Sequence, residues 1–157
     1  MKKKHSRREG QGYTIGIDVS DKSSCYWVVD SGGEIAAEGK VRSTAEAYRQ
    51  QFGGMAPAVI ALEAGTHSRW MSALLEECGH QVIVANPRRL RLLSESDKKN
   101  DPQDARTLAE MAWAKPALLA PIRHRSAAAQ ADLNLVRARD LLVEARTRLI
   151  NGVRSLE

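Results

Sequence analysis

Hydrophobic and polar residues first alternate with a period of two along this chain. Residues 13–19, 24–30 and 34–41 are short runs rich in β-branched or alternating apolar residues, which predict strands. Ser31–Gly33, with two glycines, is a turn signal between the second and third runs. We therefore expect the chain to open with three antiparallel strands in a meander.

Helical and strand-like patterns then alternate. Thr44 is expected to cap a short helix, and residues 58–62 are continuously apolar, as in a strand buried on both faces. Thr66 is the expected cap of the next helix, which should end at Gly79, and residues 81–85 predict a fifth strand. The pattern as a whole predicts an α/β fold with a mixed five-stranded sheet flanked by helices.

The segment after the fifth strand is polar and basic. Asn86-Pro87 is a cap followed by proline, typical of a helix start, and residues 94–100 predict a loop. Asp101 should open a helix that runs to about Ala114, so we expect a domain over residues 13–114 and a linker over residues 115–125.

Residues 126–157 predict a long, coiled-coil-like amphipathic helix. Leucine recurs every seventh residue, at Leu135, Leu142, Leu149 and Leu156. Small residues lie three positions later, at Ala138, Ala145 and Gly152, and the opposite face carries Arg137, Arg139, Arg146, Arg148 and Arg154. The seam favours pairing with another helix, so we expect a homo-oligomer. The pattern has no stop signal, which predicts that the chain is truncated before a further domain.

Charge and composition favour a nucleic-acid partner. The 157 residues carry a net charge of +5, with a pI of about 9.5, and residues 1–12 predict a disordered basic arm. A surplus of solvent-exposed arginine, with no nucleic-acid partner, would give the same net charge. Cys25 and Cys78 lack metal-ligand spacing and indicate buried thiols in a reducing compartment. No run predicts a signal peptide or membrane span, so the expected location is cytoplasmic.

Four carboxylates carry the candidate chemistry. Asp18 and Glu63 each end an apolar run, and Asp101 and Asp104 open the predicted helix. Carboxylates at the ends of buried strands are costly unless positive charge lies among them, and Mg²⁺ or Mn²⁺ prefers such oxygen ligands. Two ions about 3.5–4 Å apart can serve phosphoryl transfer. Alternatively, the carboxylates have structural roles only. Asp18 and Glu63 would then be ordinary strand-end residues, and Asp101 would be the N-cap of the helix.

Basic residues precede and enter the same predicted helix. A basic stretch beside a metal site suits phosphate positioning, although a solvated surface is an equal alternative. The candidate nucleic-acid-binding residues are Arg88, Arg89, Arg91, Lys98, Lys99 and Arg106. His67, four residues after Glu63, is a weaker candidate for the metal site.

Three motifs together resemble the N-terminal domain of the DEDD transposases of insertion sequences. They are Gly16-Ile17-Asp18-Val19-Ser20, Ala61-Leu62-Glu63-Ala64-Gly65 and the segment from Asp97 to Arg106. The resemblance implies an RNase H-like, RuvC-like fold in which Asp18, Glu63, Asp101 and Asp104 are catalytic and hold Mg²⁺ or Mn²⁺. It also implies DNA as substrate, a dimer or tetramer, a structured guide RNA in some members, and a separate domain with a nucleophilic serine.

Other functions fit parts of the pattern. Gly16–Ser20 is also similar to the first phosphate loop of actin-like ATPases and sugar kinases, which need a second loop on a duplicated domain. A Holliday-junction nuclease of the RuvC kind would use the same carboxylates. A non-catalytic module for nucleic-acid binding and oligomerisation would retain the basic surface and the long helix with an idle metal site.

Overall fold

The computed structural model describes residues 12–89 and 101–156, and for residues 101, 102 and 127 it describes the backbone alone. The chain divides into two compact units, Met1–Ile122 and Arg123–Glu157. The first unit contains the sheet and the second contains the long helix, and each is described separately.

The first unit is built on a mixed five-stranded sheet, as predicted. Its strands are β1 (Tyr13–Asp18), β2 (Ser23–Asp30), β3 (Ile35–Arg42), β4 (Val59–Glu63) and β5 (Gln81–Ala85). The spatial order is β3-β2-β1-β4-β5. The first three strands are antiparallel neighbours, whereas β4 runs parallel to β1 and β5 parallel to β4. The sheet therefore changes from antiparallel to parallel at β1.

The turn between β2 and β3 follows the sequence signal. The Asp30 carboxylate accepts hydrogen bonds from the backbone N–H groups of Gly32, at 2.7 Å, and Glu34, at 3.0 Å. Gly33 has a φ of +90°, a conformation that glycine adopts without steric cost. The predicted Ser31–Gly33 turn is confirmed.

Residues 87–89 begin a helical turn, and the described part of the first unit contains four longer helical segments. Their bounds are α1 (Ala45–Phe52), α2 (Ser68–Glu77), α3 (Asp101–Ala114) and a short 3₁₀ helix (Pro116–Leu119). Thr44 caps α1 as predicted, accepting from the Ala47 N–H at 3.3 Å. The prediction that Thr66 caps α2 is wrong, because the N-cap residue is His67 and its side chain makes no capping bond.

The sheet separates two hydrophobic layers. Ile15, Ile17, Ile60 and Leu62 face the layer formed with α1 and α2, where Tyr48, Phe52, Met71 and Leu75 are fully buried. Val59, Ala61, Ile83 and Ala85 face the other layer, together with Leu108 and Ala112 of α3. Helix α3 therefore covers the second face of the sheet.

The chain after the 3₁₀ helix runs along the outer edge of β5. The Asn86 N–H donates to the carbonyl of Leu119 at 3.0 Å, and the Ile122 N–H donates to the carbonyl of Val84 at 2.9 Å. Between them, Ala120 has a φ of 43°. These residues fall in the stretch expected to be a linker, and they cover strand-edge groups that would otherwise lack a backbone partner.

The second unit contains α4 (Ala127–Arg154), which the Ser126 hydroxyl caps by accepting from the Ala129 N–H at 3.2 Å. Its heptad leucines are open to solvent, with 76% of Leu135 and 72% each of Leu142 and Leu149 exposed. No described helix is long and apolar enough to cross a membrane.

Candidate metal and phosphate site

Asp18 and Glu63 lie next to each other where two adjacent parallel strands end. The register of β1 and β4 pairs Ile17 with Leu62, and Asp18 and Glu63 are the next residues on their strands. Both are half-buried. Because carboxyl ends of parallel strands meet at one edge of a sheet, the two carboxylates belong to the same edge.

Both residues also face the same layer. Side chains alternate across a strand, so Asp18 shares a face with Gly16, and Glu63 shares a face with Ala61. Gly16 faces the backbone of α3, and Ala61 packs in the layer that contains Leu108 of α3. The two strand-end carboxylates therefore point toward the side of the sheet that α3 covers.

The first turns of α3 approach β1 very closely at Gly16. A Cβ atom at Gly16 would lie 2.1 Å from the Ala105 carbonyl oxygen and 2.4 Å from the Ala109 nitrogen. Only a glycine allows this approach. Because Ala105 follows Asp104 directly, the contact brings the start of α3 to the strand end that carries Asp18.

The rotation of α3 directs Asp104 toward the β4 side. Residues four apart on a helix share a face, so Asp104 lies in line with Leu108 and Ala112, which pack against residues of β4 and β5. Glu63 ends β4 on that side. Asp101 is one turn earlier on α3, but its side chain lies outside the described part of the chain.

The carboxylate donors suit a hard divalent ion, although the described side chains do not yet form a ligand set. Among the side chains described within residues 12–89 and 101–156, which do not include that of Asp101, no three His, Cys, Asp or Glu side chains are placed to hold one metal ion together. Asp18, Glu63 and Asp104 all offer carboxylate oxygens, the donors that Mg²⁺ and Mn²⁺ prefer. The donor chemistry therefore fits such an ion.

Arg106 lies on the other side of α3, over β2. Its guanidinium carbon is 5.7 Å from the centre of the Trp27 ring, and its Nε donates to the Glu110 carboxylate at 2.7 Å. Trp27 pairs with Gly16 across β1 and β2, so this arginine flanks the Gly16 contact. The bond to Glu110 uses Nε, so it does not occupy the terminal N–H groups of Arg106. An arginine held in this way is suited to a phosphate.

Two further predicted arginines follow β5. Arg88 and Arg89 are exposed, and the Asn86 side chain accepts from the Arg88 N–H at 3.0 Å, so Asn86 caps this turn as predicted. β5 runs parallel to β4, which brings these arginines to the same edge of the sheet as Glu63. The candidates Arg91, Lys98 and Lys99 lie outside the described residues.

His67 contacts an aspartate that the sequence reasoning missed. Its Nε2 is 2.9 Å from the Asp21 carboxylate, and Trp70 donates from Nε1 to His67 Nδ1 at 3.3 Å. Both ring nitrogens are therefore engaged within the protein. Asp21 gives no signal in the sequence, because it is an exposed loop residue without periodic context.

Tyr48 is fully buried in the layer that α1 and α2 form with the sheet. Burial raises the pKa of Tyr48 to about 12; the nearby Ser24 hydroxyl partly offsets the effect, and the negative charge of Asp18 adds to it. The Tyr48 hydroxyl is buried, and the Ser24 contact falls short of hydrogen-bond geometry. The phenol therefore stays neutral across the physiological range.

Comparisons with known proteins identify the family. The model of the IS110 group of DEDD transposases, described as "Transposase", matches residues 15–156. A probable family 20 transposase of Pseudomonas aeruginosa is 29% identical over 142 residues, which are 90% of this chain and 40% of that protein. A putative transposase of Sinorhizobium fredii is 36% identical over 99 residues, which are 62% of this chain and 24% of that protein.

The solved structure of RuvC from Thermus thermophilus is similar with a TM-score of 0.48 and 14% sequence identity, covering 69% of this chain and 94% of that one. The chain spans well under half the length of the two curated relatives. The family match covers nearly the whole chain, from Ile15 to Leu156. This chain belongs to the DEDD transposase family.

Proposed function

We propose that this chain is the metal-dependent catalytic domain of a DNA transposase, which carries out phosphoryl transfer on DNA during excision and integration of an insertion sequence. The observation that supports this most directly is the meeting of three elements at one edge. The ends of β1 and β4 carry Asp18 and Glu63, and the Gly16 contact brings the start of α3 to them.

The four carboxylates of the family pattern have one proposed role. Asp18, Glu63, Asp101 and Asp104 would hold Mg²⁺ or Mn²⁺. When bound, the ion supplies charge stabilisation at a scissile phosphate and lowers the pKa of an attacking hydroxyl. The protein contributes fixed positions, since Asp18 and Glu63 extend from hydrogen-bonded strands and Asp104 from a helix packed on β1.

The arginines have a separate role in binding the DNA backbone. Arg106 is held by Trp27 and by the bond from its Nε to Glu110, so little side-chain freedom would be lost when it binds a phosphate. Arg88 and Arg89 are exposed at the end of β5. Arg91, Lys98 and Lys99 are proposed to extend the same phosphate-binding surface. Phosphate contacts of this kind position DNA without reading its sequence.

The proposed partners beyond DNA follow from α4 and from the family. The exposed leucines of α4 are proposed to pair with the same helix of a second copy, because an isolated helix with an open apolar seam is marginally stable. A structured guide RNA and a serine-bearing domain elsewhere in the whole protein complete the proposed recombinase.

The test of this proposal is metal-dependent processing of supercoiled plasmid DNA. We expect strand breakage or joining in Mg²⁺ that is lost in EDTA and lost in Asp18→Asn. Asp132→Asn, which changes an exposed residue of α4, is the matched control and should retain activity. A protein that binds DNA but processes it no faster with Mg²⁺ than in EDTA would instead be the non-catalytic binding module.

A further inference from the structure

We infer that Asp21 and His67 act as positioning residues that fix the separation of the strand-end carboxylates Asp18 and Glu63. The inference rests on the proposed metal site. Asp21 is three residues after Asp18, and His67 is four residues after Glu63, so their contact joins the two loops that leave the candidate site.

The contact of His67 with Trp70 determines which residue donates in the His67–Asp21 hydrogen bond. An indole N–H can only donate, so His67 Nδ1 must accept from Trp70, and the neutral imidazole then carries its proton on Nε2. That proton is directed at the Asp21 carboxylate, 2.9 Å away. Trp70 is itself packed edge-on against the buried Tyr48 ring, with centroids 5.7 Å apart. The orientation of the His67 ring is therefore fixed by Trp70, which itself packs against the core.

Both loops are anchored independently of the Asp21–His67 pair. In the loop after β4, the fully buried Ser68 hydroxyl accepts from the Gly65 N–H at 3.0 Å and donates to the Gly65 carbonyl at 2.7 Å. In the loop after β1, the Ser43 hydroxyl donates to the Ser20 carbonyl at 2.5 Å, and the Ser43 N–H donates to the Lys22 carbonyl at 3.0 Å. Each loop is held by its own hydrogen bonds, and the pair adds a side-chain link between them.

Stability alone does not account for the pair. The Asp21 side chain is 91% exposed, and exposed ion pairs add little to the stability of a fold. Outer residues that orient metal ligands have a much larger effect on metal affinity than on folding, commonly about 10–100-fold in affinity. A contact at this position therefore acts on the geometry of the carboxylates rather than on the fold.

The test is the Mn²⁺ affinity of the protein, measured by electron paramagnetic resonance of the free ion, alongside thermal melting. We expect His67→Ala and Asp21→Ala each to weaken Mn²⁺ binding by about 10-fold with little change in Tm. The double variant should be no weaker than either single variant, because both remove the same contact. His67→Gln, whose side-chain amide can still donate to Asp21, should recover most of the affinity.

The matched control is Glu77→Ala, which removes another exposed ion pair, Arg49–Glu77 at 3.3 Å, that joins α1 and α2. This variant should bind Mn²⁺ as the parent does. Parent-like affinity in His67→Ala and Asp21→Ala, or additive losses in the double variant, would overturn the positioning role while leaving the metal site in place. A parent protein that binds no Mn²⁺ would overturn the metal site and the positioning role together.

Discussion

The Gly16 Cα and the Ala105 carbonyl are so close that a methyl group on Gly16 would lie 2.1 Å from that oxygen. The obstacle is helix backbone, which cannot rotate aside as a flexible side chain can. The distance between β1 and α3 is therefore set by the absence of a side chain at residue 16. Since Asp18 and Asp104 lie one or two residues from this contact, the same glycine sets how near their elements come to each other.

Replacing Gly16 with alanine should separate α3 from β1. We expect a loss of about 1–3 kcal/mol in the free energy of unfolding, as for other overpacked sites, measured by urea denaturation. Gly54→Ala is the control, because a Cβ there would meet nothing within 4 Å, and its change should stay within about 0.5 kcal/mol. Equal stability of the two variants would show that α3 does not rest on β1 in this way.

Tyr48 should make the protein sensitive to alkaline pH. Its pKa rises from 10.0 to about 12 on folding, so the unfolded chain ionises first as the pH increases. Stability from this group is complete below pH 10 and is lost between pH 10 and 12, to a total of roughly 3 kcal/mol. Urea unfolding at pH 8, 10 and 11 measures the loss.

Tyr48→Phe should abolish that part of the alkaline loss and leave stability at pH 8 unchanged or slightly higher, since it removes a buried hydroxyl without a hydrogen bond. Tyr13→Phe, at an exposed strand end, is the control and should lose stability as the parent does. An identical alkaline profile in Tyr48→Phe and the parent would contradict the assignment.

The main elements were predictable from the sequence because their signals are local. The strands follow period-two or continuous apolar runs, Gly32-Gly33 marks the turn, and Thr44 is a hydroxyl residue directly before a helical pattern. The prediction that Thr66 caps α2 was wrong because Ser68, two residues later, is also a hydroxyl residue. Sequence spacing does not show which of the two hydroxyls accepts a backbone hydrogen bond. In the structure Ser68 closes the turn on Gly65, and the helix starts there.

The positions of the candidate site residues were predictable only where they coincide with strand and helix ends. Asp18, Glu63 and Asp104 could be placed from those ends, together with the family resemblance. The Asp21–His67 contact joins residues 46 apart, and the Arg106–Trp27 contact depends on the rotation of α3 over β2. Neither contact can be predicted from the sequence pattern, because both depend on the order of the strands and the rotation of the helix rather than on local spacing.

DNA binding should weaken steeply with salt if the arginines contact phosphates. Each phosphate neutralised contributes about −0.9 to the slope of log K against log salt on duplex DNA. Replacing Arg88 and Arg89 with alanine should flatten that slope by up to roughly 2 in fluorescence-anisotropy titrations. Arg49→Ala, which removes an exposed arginine paired with Glu77, should leave it unchanged. A parent protein with a flat salt response would exclude this phosphate-binding surface.

The long helix should mediate self-association. Substituting Ala138 and Ala145 with leucine should block close approach at the seam and reduce the sedimentation-velocity mass at micromolar concentration. Thr147→Leu places a leucine on the opposite side of α4 and should leave the oligomer intact. A parent that sediments as a monomer while α4 remains helical would contradict pairing through this seam.

The most direct test of the metal site is an anomalous difference map from a crystal of the protein soaked in MnCl₂. We expect a peak at the carboxyl edge of β1 and β4, within coordination distance of oxygens of Asp18 and Glu63 and near Asp104. The peak should be lost in Asp18→Asn and retained in Asp132→Asn. A map with full manganese peaks elsewhere on the protein and none at this edge would contradict the proposed metal site.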